Sequence, residues 1–294
     1  MSERKKLLRG YLFVIASAVI FGCMPLMTKA LYAQGLNSMS VVLLRNALSL
    51  PALAVLAIKQ GGLAVRPKAL PSIGLLALMG CCLTPVLLFS SYRYIASGTA
   101  TVFHFVYPAA VILLGILFWK RRPQWAQLVC VAVCVAGICL FFDPSQTVHP
   151  LGSALALLSG ITYAVYILLL SSFRHRDIAG FRLSFCIAAV STLLLLAVCL
   201  CGRMLTLPTT LSGWCCAFAL ALTVNVGAVV LFQQGTFLVG GERASILSTF
   251  EPITGVLLGV LVFRETVGAR TLLGTCLVLL AAVFIAAWDM RKTK

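Results

Sequence analysis

One acidic residue lies within a stretch of the chain that is otherwise apolar enough to cross a membrane. Glu251 precedes Pro252 in the run STFEPITG, inside the apolar stretch 244–263. An ionised carboxylate facing lipid at mid-depth would cost at least about 2.5 kcal/mol. We therefore expect Glu251 to face the protein interior, where it could anchor an amine or carry a proton. The structural alternative is a fixed ion pair with Arg45 or Lys29, or a hydrogen bond to a free backbone carbonyl.

Two prolines are predicted to break helices near the membrane centre. A proline cannot donate to the carbonyl four residues back, so Pro252 deprives the carbonyl of Ser248 of its helical partner, and Pro108 does the same for His104. At a rise of 1.5 Å per residue, both prolines lie about 13 Å into their apolar stretches. Free backbone groups at that depth are tolerated only in the protein interior or beside a wet cavity. The helix breaks at Pro108, Pro252 and Ser248 therefore indicate a cavity.

Several further polar side chains fall in apolar stretches and are candidates for the wall of this cavity. They are Lys29, Arg45, His104, Tyr107, Tyr163, Tyr166 and Asn225. A structural role is an open alternative for each of them. Lys29 can extend to the membrane surface, and Tyr163 with Tyr166 can pack as an aromatic stripe. Asn225 can join two helices, and His104 can be an ordinary core histidine.

The amino-acid composition indicates that these residues lie within a lipid membrane. The chain has 294 residues, of which 61% are hydrophobic and 10% charged, too few polar groups to cover a water-soluble core. A bilayer core of roughly 30 Å needs about 20 apolar residues per helix. Ten such stretches recur, at about 10–32, 37–58, 70–92, 98–119, 124–142, 150–171, 178–201, 211–234, 244–263 and 268–288. We predict an all-α integral membrane protein with no room for a soluble catalytic domain.

The net charge of +16 is explained by membrane topology rather than by nucleic acid. If the N-terminus is cytoplasmic, seventeen of the 23 Lys and Arg residues fall at the inner ends and inner loops. Four fall outside, namely Arg93, Arg203, Arg264 and Arg270. Positive charge concentrates on the cytoplasmic side of membrane proteins. This pattern predicts two cytoplasmic termini, and we expect a bacterial cell (inner) membrane as the location.

The chain also repeats itself. An offset of 144 aligns Ala100 with Ala244 and Pro108 with Pro252, and an offset of 142 aligns Ser17 with Ser159. Ser159, Tyr163 and Tyr166 form one helical stripe, and Ser17, Phe21 and Met24 form the same stripe in the first half. Because each half holds five helices, an odd number, the second half enters the membrane inverted. We predict two inverted five-helix repeats, 1–145 and 146–294, an organisation typical of secondary transporters with a site between the repeats.

Two tracts resemble a known family. GERASILSTFEPITGVLLGVLVFRETVGARTLLGTCLVLLAAVF is similar to the last two helices of EamA-like proteins of the drug/metabolite transporter superfamily. YRYIASGTATVFHFVYPAAVILLG resembles the matching segment of their first repeat, and LLRNAL around Arg45 resembles their second helix. The resemblance implies ten helices in two inverted repeats and a central cavity lined by helices 1–4 and 6–9. It also implies export or exchange of small metabolites such as amino acids.

The function indicated is that of a secondary transporter rather than an enzyme. The chain has no P-loop, no HExxH or GxSxG motif, and no spacing of its 12 cysteines that suits a metal. We expect no cofactor and no metal. The expected partners are a small-molecule substrate, membrane lipid and a proton as a candidate coupling ion, without nucleic acid. A passive channel and, more remotely, an intramembrane enzyme are the alternatives, and oligomeric state and direction of transport stay open.

Overall fold

The computed structural model describes residues 3–120, 122–140, 149–178, 180–263 and 269–292. Throughout this part of the chain the regular structure is helical. In the first half the helices are α1 (Glu3–Gly22), α2 (Met24–Ala33), α3 (Ser38–Lys59), α4 (Leu70–Leu76), α5 (Thr84–Ser91), α6 (Ser97–His104), α7 (Tyr107–Trp119) and α8 (Trp125–Cys139). In the second half they are α9 (Pro150–Ser171), α10 (Phe181–Cys201), α11 (Leu211–Leu220), α12 (Val230–Val239), α13 (Gly241–Leu247), α14 (Phe250–Phe263) and α15 (Ala269–Lys292).

Seven helical stretches are long and apolar enough to cross a membrane. They are Glu3–Ala33, Ser38–Lys59, Pro67–Ser91, Thr99–Trp119, Pro150–Ser171, Phe181–Cys201 and Leu211–Val239. Two further apolar helices, Trp125–Cys139 and Leu272–Ile285, are shorter. Many large apolar side chains on these helices point outward, as expected where the solvent is lipid. The predicted all-helical membrane protein is thus confirmed, while the ends of two predicted spans, at 142 and 268, lie outside the described residues.

The helix breaks differ in one respect from the expectation. Helix α6 ends at His104 before α7 begins at Tyr107, and α13 ends at Leu247 before α14 begins at Phe250. The carbonyl of Ser248 was expected to be free, but it accepts the backbone N–H of Glu251 at 3.0 Å. The chain tightens into a turn there, so a bond over three residues replaces the bond over four that the proline forbids.

Two segments of π-helix interrupt the third and eighth predicted spans. The first π-segment is Ala77–Leu83, between α4 and α5, and the second π-segment is Ala221–Val229, between α11 and α12. The hydroxyl of Thr84 donates to the carbonyl of Met79, five residues back, at 2.7 Å. Such segments are rare and occur often at functional sites. The two segments occupy matching positions at the offset of 144, although the sequence did not predict either.

The helices of the two halves pack in matching pairs. Helix α1 packs on α12, α13 and α14, and helix α9 packs on α5, α6 and α7. Helix α3 packs on α10, and α8 packs on α15. Each π-segment packs against the first and second long helix of the opposite half. This arrangement brings both helix breaks and both π-segments to the centre of the bundle, around one space.

Glycines allow the closest of these approaches. A Cβ atom added to Gly160 on α9 would overlap the carbonyl oxygen of His104, and one added to Gly22 on α1 would lie 2.7 Å from the carbonyl oxygen of Glu251. Helices α1 and α9 therefore each cross the opposite half of the chain at the helix break of that half. Gly255 on α14 is the contrary case, because a Cβ there would meet nothing within 4 Å. Within the described residues, Gly255 does not serve close packing.

Candidate functional site

A small cavity lies where the two helix breaks and the π-segments meet. Its volume is about 50 Å³, and a water molecule needs about 10–15 Å³ measured this way, so it has room for a few waters. The residues that line it are Phe21, Met24, Arg45, Gly80, Cys81, Thr84, Pro85, Leu88 and His104 from the first half, and Tyr163, Tyr166, Val229, Phe232 and Glu251 from the second. Five of the candidate residues thus share one cavity: Arg45, His104, Tyr163, Tyr166 and Glu251.

Glu251 is the acidic residue of this cavity. It lies in the first turn of α14, where the positive end of the helix dipole favours a negative charge. Its side chain makes no hydrogen bond or ion pair with any residue that the structure describes, and it is only partly buried because it faces the cavity. The fixed ion pair with Arg45 or Lys29 that was one expectation is therefore absent. The Glu251 carboxylate is therefore available to bind a ligand or water in the cavity.

Aromatic rings form one side of the cavity. The Tyr163 ring stacks on the rings of Tyr166 and Phe232, with centroids 5.8 and 5.7 Å apart, and meets the His104 ring at 5.5 Å. Tyr107 supports Tyr163 from behind in an edge-on contact at 4.9 Å. Stacked rings present negative π-faces, and such faces attract organic cations. The aromatic wall and Glu251 are suited to the same kind of ligand group.

Hydrogen bonds fix the orientation of this wall. Nδ1 of His104 and the hydroxyl of Ser159 are 2.8 Å apart, which ties the first helix break to α9. The Tyr166 hydroxyl accepts from Gln233 at 3.4 Å, and Gln233 in turn accepts from Ser184 at 2.8 Å. The wall residues are therefore held by partners outside the cavity, so their faces toward the cavity stay available.

Arg45 approaches the cavity from α3. Its Nη1 contacts the sulfur of Met24 at 3.8 Å, and its Nε has no hydrogen-bond partner among the described residues. Asn225 lies behind Arg45 rather than in the cavity wall. Its Nδ2 donates to the Arg45 carbonyl at 3.2 Å and to Oδ1 of Asn46 at 3.0 Å. Asn225 therefore joins α3 to the second π-segment.

Three kinds of candidate residue lie away from the cavity wall. Lys29 is exposed on α2, which matches the alternative in which its amine reaches the membrane surface. Tyr107 is fully buried, and its hydroxyl has no hydrogen-bond partner among the described residues. Pro108 and Pro252 are buried in the first turns of their helices. Tyr107, Pro108 and Pro252 belong to the helix breaks, and none of the four residues lines the cavity.

Apart from Arg45 and His104, sequence reasoning missed the part of the wall that the first half supplies. The offset of 142 pairs Phe21 and Met24 with Tyr163 and Tyr166, and all four line the cavity, but the two apolar residues were not among the candidates for its wall. Gly80 and Cys81 belong to the first π-segment, which no hydrophobic pattern revealed. A Cβ at Gly80 would overlap the Tyr166 ring. Gly80 is therefore needed for Tyr166 to lie where it does.

The family of the chain follows from its similarity to known proteins. The chain matches the EamA-like transporter family over residues 8–143 and again over 150–287. It belongs to the EamA-like transporter family. An uncharacterized transporter of Archaeoglobus fulgidus is 26% identical and aligns over 94% of this chain and 96% of its own length. An uncharacterized transporter of Clostridium kluyveri is 19% identical, over 94% of this chain and 92% of its own.

Solved structures agree on the fold. One crystal structure superposes with a TM-score of 0.76 over 94% of this chain and 97% of its own, at 16% sequence identity. At that identity the likeness shows the fold alone. Together with the apolar helices, membership of the EamA-like family makes the chain an integral membrane protein and a transporter. The names of its relatives likewise point to transport rather than to enzymatic catalysis.

Proposed function

We propose that the chain is a secondary transporter that moves small amphipathic metabolites, amino acids first among them, through the central cavity by alternating access. The observation that carries this proposal is Glu251, a carboxylate without a partner among the described residues, in a cavity lined by both halves of the chain. Ligand pockets usually measure about 300–1,000 Å³, far more than the 50 Å³ found here. A substrate therefore requires the cavity to widen, as a change between inward-facing and outward-facing forms would do.

The proposed architecture is ten transmembrane helices in two inverted repeats, 1–145 and 146–294. The two separate matches to the family, over 8–143 and 150–287, support this division. The packing supports it as well, because the contacts of α1 with the second half are repeated by those of α9 with the first. The paired π-segments are a third sign of the same symmetry. In such transporters the site lies between the repeats, and a cavity lined by residues of both halves is consistent with that position.

Substrate recognition is proposed to start from an amine. An ammonium group held by Glu251 would gain about 1.5–3 kcal/mol from a charge-assisted hydrogen bond. Its position over the faces of Tyr163 and Phe232 would add about 0.5–2 kcal/mol. Glu251, Tyr163 and Phe232 all line the cavity, and the His104 ring lies 5.5 Å from that of Tyr163. Glu251 would bind a proton when no amine is present, so a proton is the coupling ion that we propose.

The transport assay uses purified protein in liposomes that are preloaded with the unlabelled form of the compound under test. Three amino acids are offered outside as labelled compounds, L-alanine, L-leucine and L-phenylalanine, together with their decarboxylated forms ethylamine, 3-methylbutylamine and 2-phenylethylamine. We expect labelled compound to accumulate transiently above its outside concentration, because a carrier exchanges one molecule for another. Liposomes without protein are the control. An ohmic current without counterflow would instead identify a channel, and a chemical change of the compound would identify an enzyme.

Topology provides a second prediction. With both termini in the cytoplasm of a bacterial cell and the membrane crossed ten times, a tag at either terminus should be inaccessible to reagents outside intact cells. A reporter placed in the tract DPSQTVHP, at 143–150, should be accessible. Tagged cells that are first permeabilised serve as the control. Finding the two termini on opposite faces of the membrane would contradict ten crossings.

A further inference from the structure

The guanidinium of Arg45 lies in the cavity without an acidic partner in the part of the chain that the structure describes. The residue is 4% exposed, it lines the cavity, and its Nε has no hydrogen-bond partner among the described residues. The polar contact of its side chain is the one from Nη1 to the Met24 sulfur, at 3.8 Å. A thioether sulfur is a weak acceptor, whereas a guanidinium has five N–H donors and does not lose its charge.

No carboxylate neutralises this charge within the described residues. Glu251 lines the same cavity, but no ion pair joins it to Arg45. The other residues of the cavity wall are aromatic, aliphatic, sulfur-containing or hydroxyl-bearing. Burial of a charge without a partner has a large desolvation cost. The group that balances Arg45 must therefore come from the contents of the cavity.

The backbone of Arg45 is held in place from both halves of the chain. Its carbonyl accepts from Asn225 at 3.2 Å, and Asn225 also donates to Asn46 and to the hydroxyl of Ser49. Asn46 donates at 3.3 Å to the carbonyl of Cys81, which belongs to the first π-segment. The side chains of Asn46, Ser49 and Asn225 are buried, and they fix α3 between the two π-segments. Such support is typical of a binding residue whose position matters.

We propose that Arg45 is an anion subsite of the cavity, which binds the carboxylate of the transported ligand while Glu251 binds its ammonium group. This inference rests on the proposed function, because it takes the cavity as the substrate site. A guanidinium binds a carboxylate through two parallel hydrogen bonds, which adds directional specificity to the charge. The ligand class is then a small zwitterion rather than a simple amine. A free inorganic anion such as chloride has the same chemistry and is the second source to be distinguished.

The experiment compares each amino acid with its own decarboxylated amine. Binding of L-alanine, L-leucine and L-phenylalanine, and of ethylamine, 3-methylbutylamine and 2-phenylethylamine, is measured by calorimetry on purified full-length protein, in a buffer of low ionic strength that contains neither chloride nor a carboxylate. We expect the parent to bind at least one amino acid tenfold or more tightly than its amine. In Arg45→Gln we expect that preference to disappear, with the affinity for the amine unchanged. Arg66→Gln, at an exposed arginine between α3 and α4, is the matched control and should behave as the parent.

A second variant guards against loss of folding. Arg45→Lys keeps the charge but loses the planar pair of donors, so we expect an intermediate preference for the amino acid. If Arg45→Gln does not fold, a preference in Arg45→Lys equal to that of the parent would overturn the proposal. Repeating the titrations in chloride separates the two anion sources. Tighter amine binding in chloride, in the parent and not in Arg45→Gln, would assign the subsite to a free anion.

The results also separate this inference from the proposed function. Amines and amino acids that bind the parent equally well in both buffers would overturn the anion subsite and leave the transporter proposal intact. An equal loss of both ligand types in Arg45→Gln would show that Arg45 is structural, which also overturns the subsite. A parent that binds none of the six compounds and shows no counterflow would contradict the proposed function, and the subsite with it.

Discussion

Replacing Glu251 with glutamine is expected to abolish the response of transport to an imposed pH gradient. Glutamine keeps the shape and the hydrogen-bonding capacity of the side chain but cannot release a proton. Because Glu251 has no hydrogen bond or ion pair with the described residues, the change removes no protein contact. Loss of the charge-assisted bond of about 1.5–3 kcal/mol should weaken amine binding about ten- to hundredfold. Counterflow at saturating substrate should continue, while gradient-driven accumulation should fall to the level of protein-free liposomes.

The measurement is uptake of a substrate found by counterflow, with and without a pH difference across the liposome membrane. Glu3→Gln is the matched control, because Glu3 is an exposed carboxylate paired with Lys6 near the N-terminus. That variant should respond to the gradient as the parent does. An unchanged response in Glu251→Gln would contradict proton coupling at this residue. Loss of counterflow even at saturating substrate would show that Glu251 is the substrate anchor above all.

Gly160→Ala is expected to be the most disruptive of the small substitutions. The new Cβ would overlap the carbonyl oxygen of His104 and lie 2.8 Å from a methyl group of Val106. A backbone oxygen cannot rotate away, so α9 and the first helix break must separate. Overpacking of this kind costs about 1–3 kcal/mol, and it outweighs the gain of up to about 1 kcal/mol in helix propensity. The neighbouring contact between Ser159 and His104 should break as well.

Thermal stability in detergent, followed by size-exclusion chromatography, tests this prediction. Gly160→Ala should melt at a lower temperature than the parent, and its counterflow should be strongly reduced. Gly255→Ala is the matched control, since it adds the same methyl group to a helix where nothing lies within 4 Å. It should be as stable as the parent or slightly more stable. Equal melting temperatures for Gly160→Ala and the parent would show that the two helices are not in contact at this point.

The sequence predicts the helices well because each has to match the thickness of the membrane. It also identifies Glu251, Tyr163 and Tyr166, since polar groups at mid-depth need a reason to be there. It does not separate the cavity wall from the layer behind it. Arg45 and Asn225 are both buried polar residues in apolar stretches, and only the packing shows that Arg45 faces the cavity while Asn225 supports it.

The residues that the sequence missed are those whose role depends on backbone geometry. Gly80 has no chemistry of its own, and its importance comes from the Tyr166 ring beside it. Met24 and Phe21 are apolar, so nothing but the repeat distinguishes them from ordinary membrane-facing residues. Lys29 shows the opposite case, in which a charged residue inside a predicted span lies on the exposed side of its helix. Polar residues within apolar stretches indicate that a cavity exists, whereas the internal repeat and the close backbone contacts identify the residues of its wall.

Because of the two π-segments, the results of a cysteine accessibility scan along the third and eighth spans cannot be interpreted with a single helical wheel for each span. Each residue of an α-helix turns the chain by about 100°, so one extra residue in a wide turn rotates every later face by that amount. A helical wheel that begins at Leu70 therefore misplaces the directions of Thr84 and Leu88, which both line the cavity, by about 100°. Labelling along each span should follow one angular phase up to the segment and a second phase beyond it. The phase should change near Ala77 in one half and near Ala221 in the other.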